Sequence, residues 1–449
     1  MRLSLVLFIG LLIPKVVAGQ DVKITSLQEL IDHAVHYNYE KMNATLDKER
    51  ANYQVKEAIS KGLPQVSVSG KMDNYLELPT TIFPGDMMGL PGQDVEVQMG
   101  KAYNANVNAS FNQLLFSQEF FAGVKAAKTS KELYELQEYK TEEGVIYQTA
   151  SFYYQYIISL KKLQTITDNL TRMLSLQEMT QLMVDQQVAL STDLDRIKVD
   201  VTNLKAIQLQ QEAVTQYQLN LLKVMAGIPF SAQVNLTPFE FTPVDRVTYS
   251  NPSMSLVMED LTDIKLLHTQ LKLQQLSEKV YRAGRYPTLA AYGQLGYDAR
   301  RDEFNIFQAG EKWFDYSVIG LTLSIPITDG GYKRAKIKQE RLKQEQTINL
   351  LAQTREQVYV ENENALNQID NSLKMLGVQE DNTHLARRVY NQTYLQYKEG
   401  IANLTDLLNA ETGLRDSELS YYQSYLNFKL AELNLWKTQG VIKYKFNIN

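Results

Sequence analysis

The 449-residue chain contains no cysteine, which rules out disulfides, thiolate metal sites and a lipid anchor built on Cys. Histidine is almost as scarce, with four residues. His33 and His36 stand three apart on an expected first helix, with Glu29 and Glu40 about a turn away. One short exposed helix makes a poor metal cage and no recognised ligand spacing accompanies the pair, so they read as helix-surface histidines. His268 and His384 stand alone, and nothing points to a Ser-His-Asp arrangement. The Gly- and Met-rich run Phe83-Pro84-Gly85-Asp86-Met87-Met88-Gly89 is not followed by Gly-Lys-Ser/Thr and is no phosphate cradle. No metal, cofactor or catalytic residue is therefore assigned, and an enzyme is not expected. The formal net charge of −5 gives no nucleic-acid footprint. Beyond residue 19 no run reaches the roughly 18 apolar residues of a transmembrane helix.

What is present begins with an export signal. Arg2 provides a short positive segment, Leu3 to Ile13 an apolar core, and Val17-Ala18-Gly19 a small-residue cleavage site before Gln20. Residues 1–19 are read as a signal peptide and left out of the fold. An exported chain without a spanning helix is either free in the periplasm or outside the cell, or a β-barrel in an outer membrane. Strand pattern must choose.

The remainder repeats itself. Gly62-Leu63-Pro64 is answered by Gly284-Arg285-Tyr286-Pro287, and Leu114-Leu115-Phe116-Ser117 by Ile325-Pro326-Ile327-Thr328. Leu190-Ser191-Thr192-Asp193-Leu194 is answered by Asn403-Leu404-Thr405-Asp406-Leu407, and Gly227-Ile228 by Gly440-Val441. From the second landmark onward the offset holds at about 211–213 residues, which marks a duplication into repeats 20–230 and 231–449. Each repeat reads as helix, strand, loop, strand, very long helix, break, second long helix. The strand pairs are expected at 63–78 and 102–116, and at 287–298 and 315–327. Val66, Val68, Gly70 and Met72 alternate with Ser67, Ser69, Lys71 and Asp73, and Tyr103 to Phe111 alternates likewise with asparagines and a serine. Leu289 to Tyr297 and Ile319 to Ile325 keep the same period of two. Such alternation over about ten residues suits a half-buried strand or a membrane-barrel strand. The loops 79–100 and 300–312 are expected outside the cell. Tyr75, Tyr103, Tyr297, Trp313 and Tyr316 are placed for an interfacial belt. Tyr147, Tyr153, Tyr154 and Tyr156 fall in the helical part, where packing explains them.

Proline is missing from Phe120 to Gln187 and from Lys333 to Glu399. Leu163, Ile166, Leu170 and Met173 step by three and four, and Leu407, Leu414, Tyr421 and Phe428 recur every seven residues. A helix of about 67 residues would reach ~100 Å. Its narrow apolar stripe demands side-by-side packing in an extended coiled-coil wall, with the long helices of the first repeat running to 226 and those of the second to 440. Four strands cannot close a barrel, since the smallest have about eight. An open sheet edge in lipid costs several kcal/mol per unpaired group. Other copies must complete the wall, two giving eight strands and three giving twelve.

The order of these elements resembles the TolC-type outer-membrane efflux family over nearly all of the mature chain. The resemblance is carried by Gly62 to Gly70, by Ile325-Pro326-Ile327-Thr328-Asp329-Gly330-Gly331, and by Tyr397-Lys398-Glu399-Gly400 followed by Asn403 to Ala410. It implies a mixed α and β membrane protein: a homotrimer with four strands per chain, a 12-stranded outer-membrane β-barrel and, continuous with it, a long coiled-coil α-barrel crossing the periplasm. It implies a passive exit duct of a tripartite efflux or type I secretion system, working with a periplasmic adaptor, an inner-membrane pump and outer-membrane lipid. At the two helix breaks, Thr192 and Thr405 read first as helix caps, with Gly400 helping the preceding helix stop. The resemblance adds that Asp193 and Asp406 match acidic residues lining the constriction at the periplasmic tip. Three departures from the family prototype stand out: Asn409 replaces an Asp, Ala402 a basic residue, and Gln187 a glycine. Asp195 and Arg196 are the candidate substitutes. The competing readings are a soluble periplasmic coiled-coil scaffold or adaptor, which would extract without detergent, and an extracellular adhesin, which would need a repetitive stalk.

Overall fold

The computed structural model describes residues 24–84, 86, 89, 92–234, 236 and 256–448. The segment 1–19 and part of the loop 79–100 lie outside the described residues. The chain runs α1 (Leu27–Tyr37), α2 (Tyr39–Ser60), β1 (Gln65–Asn74), β2 (Thr80–Pro84), β3 (Asp94–Gln98), β4 (Tyr103–Ser117), α3 (Gln118–Asp185) and α4 (Ser191–Met225). A single 3-10 turn (Met258–Asp260) precedes α5 (Thr262–Ala283), β5 (Thr288–Arg301), β6 (Phe314–Ser324), α6 (Tyr332–Lys398), α7 (Leu404–Thr438) and α8 (Ile442–Lys445). The four expected strands are found, with ends shifted by a few residues. The hairpin of β2 and β3 was not expected. Its strands are five residues each; β2 shows no period, and the alternation of Val95 and Val97 in β3 is too brief to stand out beside the surrounding Pro, Gly and Met.

The chain divides into two compact units, and these cut across the two sequence halves. One gathers Met1–Asp47, Glu135–Leu266 and Leu351–Asn449; the other gathers Lys48–Tyr134 and Leu267–Leu350. The second unit holds the sheets. Its main sheet has the order β1-β4-β5-β6, antiparallel throughout, and β2 pairs only with β3. Register puts Val66, Val68 and Met72 on one face with Ala109, Val107, Leu295, Tyr297, Ile319, Leu321 and Leu323. That face is apolar yet open: Val68 is 72 %, Ile319 87 % and Leu321 67 % exposed. The other face carries a polar ladder. Ser67 meets Ser110 at 2.7 Å, Ser69 donates to Asn108 at 3.1 Å, and Asn106 Nδ2 donates to Asp298 at 2.5 Å and to the Tyr316 hydroxyl at 3.2 Å. The sheet is thus apolar on one face and hydrogen-bonded on the other, and along β1 both faces are open.

Two tyrosines expected in an apolar belt lie on the polar face instead. Tyr316 stands opposite Gly296 and its ring covers that glycine, where an added Cβ would come within 2.3 Å. Tyr75 borders a 320 Å³ cavity lined by Lys71, Asp73, Asn104, Asn106, Asp298 and Arg300. Tyr103 and Tyr297 do share the apolar face, because β4 and β5 pair them with odd-numbered partners. Parity decides each case: Tyr75 continues the odd-numbered line of Lys71 and Asp73 on the polar face, its amide still paired with Ala102 O at 2.7 Å.

The first unit is helical. Its main core packs Leu30, Ile31 and Ala34 of α1 against Val145, Ile146, Tyr153 and Ile157 of α3 and Leu433 of α7. Tyr147, Tyr153, Tyr154 and Tyr156 all belong to this core, buried or packed against it. Asn38 breaks α1 from α2 and starts the latter: its Oδ1 accepts from the Glu40 and Lys41 amides at 2.8 and 3.2 Å, while its Nδ2 donates to Met225 O. Gly227, at φ +69°, lets the chain pass so close to Tyr37 that a Cβ there would meet its carbonyl oxygen at 2.2 Å. His33 is absorbed in the same junction, its Nδ1 2.8 Å from Ala226 O, and His36 Nδ1 lies 2.7 Å from Asp32 O. Lys41 bridges Glu138 at 2.7 Å and Glu142 at 3.1 Å, and Lys443 of α8 reaches Glu142 at 2.6 Å. Four near-buried charges thereby neutralise one another, as burial requires.

Candidate functional site at the helix reversals

Both reversals use the same turn. After α3, the amides of Val188 and Ala189 donate to Met183 O at 2.8 and 3.2 Å; after α6, those of Ile401 and Ala402 donate to Gln396 O at 2.8 and 3.2 Å. The bond from residue i to i−5 requires a left-handed residue at the centre. Gly400 supplies it at φ +75°, and Gln187 adopts it at φ +61°. A side chain in that region costs about 1–2 kcal/mol. Gln187→Gly is accordingly expected to stabilise the first reversal by about 1 kcal/mol, slowing amide exchange at Val188 and Ala189 roughly fivefold. Faster exchange would contradict the strain.

The expected caps are different residues. α4 starts from Leu190, which makes no side-chain cap, and α7 starts from Asn403, whose side chain accepts from the Asp406 amide at 2.8 Å. Thr192 and Thr405 sit two residues past the cap positions, too far into their helices to cap. The physical reason is register: the residue with extended φ and ψ is the one before the first helical residue, and the reversal places it at 190 and 403. Asp193 and Asp406 then both occupy the third helical position, where a carboxylate faces the positive end of the helix dipole. Leu194, Leu404 and Leu407 are buried and anchor these turns. Thr192, Asp195, Gly400, Thr405, Asp406 and Asn409 are exposed and Asp193 is half-exposed. Asp193 lies 3.8 Å from Arg196, and Asp195 3.5 Å from Lys198. Exposed pairs of this kind contribute about 0–1 kcal/mol. Leu404 and Leu407 of the second reversal share one hydrophobic cluster with Leu176, Ile197 and Val201 beside the first. Around them the surface is apolar: Leu182, Val188 and Leu190 at the first reversal and Leu395 and Ile401 at the second are 57–76 % exposed.

One feature near the reversals escaped sequence reading. Glu411 of α7 is 4 % exposed, accepts from Asn169 Nδ2, and lies 3.0 Å from both Nε and Nη2 of Arg172. Its second oxygen has no partner. Burial pushes the Glu411 carboxyl up, and the Arg172 guanidinium only partly offsets this. Tyr390, against the same arginine, is pushed up to about 12 by burial and then by the Glu411 charge. Heptad spacing contained the signal. Positions 404, 411, 418 and 425 form the companion line to 407, 414, 421 and 428, so Glu411 and Glu418 sit in the apolar seam. Each recruits an arginine, Glu418 taking Arg387 at 2.6 Å.

An open-faced four-stranded antiparallel sheet joined to paired helices of 68 and 35 residues, and again of 67 and 35, defines a class. It is a fold class shared with solved outer-membrane channel structures. Residues 261–441 match the family model described as outer membrane efflux protein. A membrane protein from Pseudomonas aeruginosa shares the fold at TM-score 0.71 and 17 % identity, covering 92 % of this chain and 93 % of the other. The outer membrane protein VceC of Vibrio cholerae matches at 0.69 and 15 %, covering 92 % and 96 %. The CmeC outer membrane channel of Campylobacter jejuni matches at 0.71 and 15 %, covering 92 % and 85 %. No curated protein matches by sequence.

Proposed function

We propose that three copies of this chain close a 12-stranded barrel in the outer membrane and that their helices form a duct through the periplasm, a passive exit path for solutes driven by an inner-membrane pump. One observation carries the reading: an apolar sheet face that is open along β1 and β6 and covered only at the Ala105–Ala299 end, on a sheet whose edge strands β1 and β6 each have one unpaired side among the described residues. Lipid can cover the face, and a neighbouring copy can pair the edge. The matching lengths of the long helices and the like angles at Gly227 and Gly440, both φ +69°, support a duplicated plan. The soluble scaffold reading leaves that face in water and is disfavoured. Extraction in detergent, negative-stain microscopy and planar-bilayer recording test the proposal together. Hollow particles with threefold views and a conducting pore are expected; a detergent-independent monomer would end it.

The helix reversals are the periplasmic tip in this reading. Their exposed Val188, Leu190 and Ile401 offer an apolar landing for a periplasmic adaptor, and Asp193 and Asp406, each present three times, line the constriction. A ring of carboxylates favours cations. Asp193→Ala combined with Asp406→Ala is expected to cut the cation-to-anion permeability ratio several-fold, read from reversal potentials in a salt gradient. An unchanged ratio would remove both residues from the pore lining.

A further inference from the structure

The loop 302–313, between β5 and β6, does not stand free. Ile306 at its centre is 1 % exposed and packs on Ala105 of β4 and Ala299 of β5, flanked by Tyr103 and Trp313. Phe304 meets the Tyr103 ring edge-on at 5.6 Å. Arg301 pins the far end, its Nε 3.0 Å from Glu311 Oε2 and its Nη2 donating to Lys312 O at 2.5 Å. Ala105 and Ala299 belong to the same face as Val107, Leu295 and Tyr297. The loop is therefore folded back over one end of the apolar face, instead of rising away from it as expected of an open external loop. Its outward side presents Phe304 and Phe307, 64 % and 80 % exposed. Two phenylalanines held open by a segment whose inner side is pinned form an exposed apolar patch that asks for a partner.

We infer that this loop is a lipid-contacting finger, with Phe304 and Phe307 seated in the interfacial zone of the leaflet beside the β4–β5 end of the sheet. The inference rests on the reading of the apolar face as lipid-facing, with which the finger is continuous. Lipid fits better than a second copy, because β4 and β5 are the inner strands of the sheet and a neighbouring chain would pair at β1 or β6. Phenylalanine on an interfacial segment buries its ring at the headgroup–acyl boundary, leaving water without crossing the chain core.

The absence of cysteine makes the test direct. Single variants Phe307→Cys, Leu321→Cys and Asp195→Cys are spin-labelled and reconstituted in phosphatidylcholine liposomes, and accessibility to oxygen and to a water-soluble nickel chelate is compared. The label at 307 is expected to favour oxygen several-fold, as at 321, while that at 195 favours the chelate. If 321 favours oxygen and 307 behaves like 195, the finger lies in water and the inference fails while the lipid-facing sheet survives. If 321 also favours the chelate, the lipid-facing reading fails and takes the finger with it. A label at 307 shielded from both reagents would mean a protein contact and would equally overturn the proposal.

Discussion

Ile319→Arg is expected to block assembly in the membrane while the helical unit still folds. Ile319 is 87 % exposed on the apolar face near the middle of the 11-residue β6. Opposite it stands Gly293, which has no side chain to shield a charge. An arginine at the midplane of a barrel's lipid face costs about 2–4 kcal/mol, so three copies would lose roughly 6–12 kcal/mol. The decisive control is one residue away. Val318 pairs with Gln294 on the polar face, so Val318→Arg should be tolerated in a water-filled lumen. Outer-membrane fractionation and light scattering of the detergent-extracted particle would separate the two variants. Equal tolerance would mean that neither face meets lipid.

Arg172→Ala is the second large effect. It leaves Glu411 buried in the seam with Asn169 as its remaining partner. Removing one member of a buried pair costs about 3–5 kcal/mol, and the half-exposed Arg172 side chain lowers this to about 2 kcal/mol. Exchange of amides around Asn169 and in the first turns of α7 should accelerate roughly thirtyfold at neutral pH. The pH dependence has a definite sign. Burial raises the folded-state carboxyl of Glu411 above its unfolded value. Its favourable contribution is therefore present in full below the ordinary carboxylate range and is lost as pH rises through the raised value. Without Arg172 that value climbs further, so the penalty should be largest at neutral pH and shrink on acidification. Glu411→Gln in the Arg172→Ala background should recover most of the loss. A pH-independent penalty would mean that the arginine acts through packing alone.

The two effects differ in how far they could be anticipated. The alternation through Val66–Met72 and Ile319–Leu323 already placed Ile319 on an apolar face, because period two is a property of each strand taken singly. Glu411 also lay on a readable heptad line, yet nothing in that line named Arg172 as its partner, 239 residues away. The cap positions escape the sequence for a related reason. Thr192 and Asp193 have the chemistry of a helix start, but the turn geometry set by Gln187 and Gly400 moved the start to Leu190 and Asn403. Tyr75 and Tyr316 lie on the polar face by the same period of two, Tyr75 in line with Lys71 and Asp73 and Tyr316 in line with Val318.

Local chain chemistry thus sufficed for the long helices, the four sheet strands, the like reversals and the oily side of the sheet, since proline-free heptads and strict alternation act over a few residues. Packing in three dimensions was needed to say which arginine answers Glu411 and that the 302–313 loop lies back on the apolar face. Those outcomes depend on free energies of burial and pairing between segments far apart in the chain, and no periodicity within one segment encodes its partner.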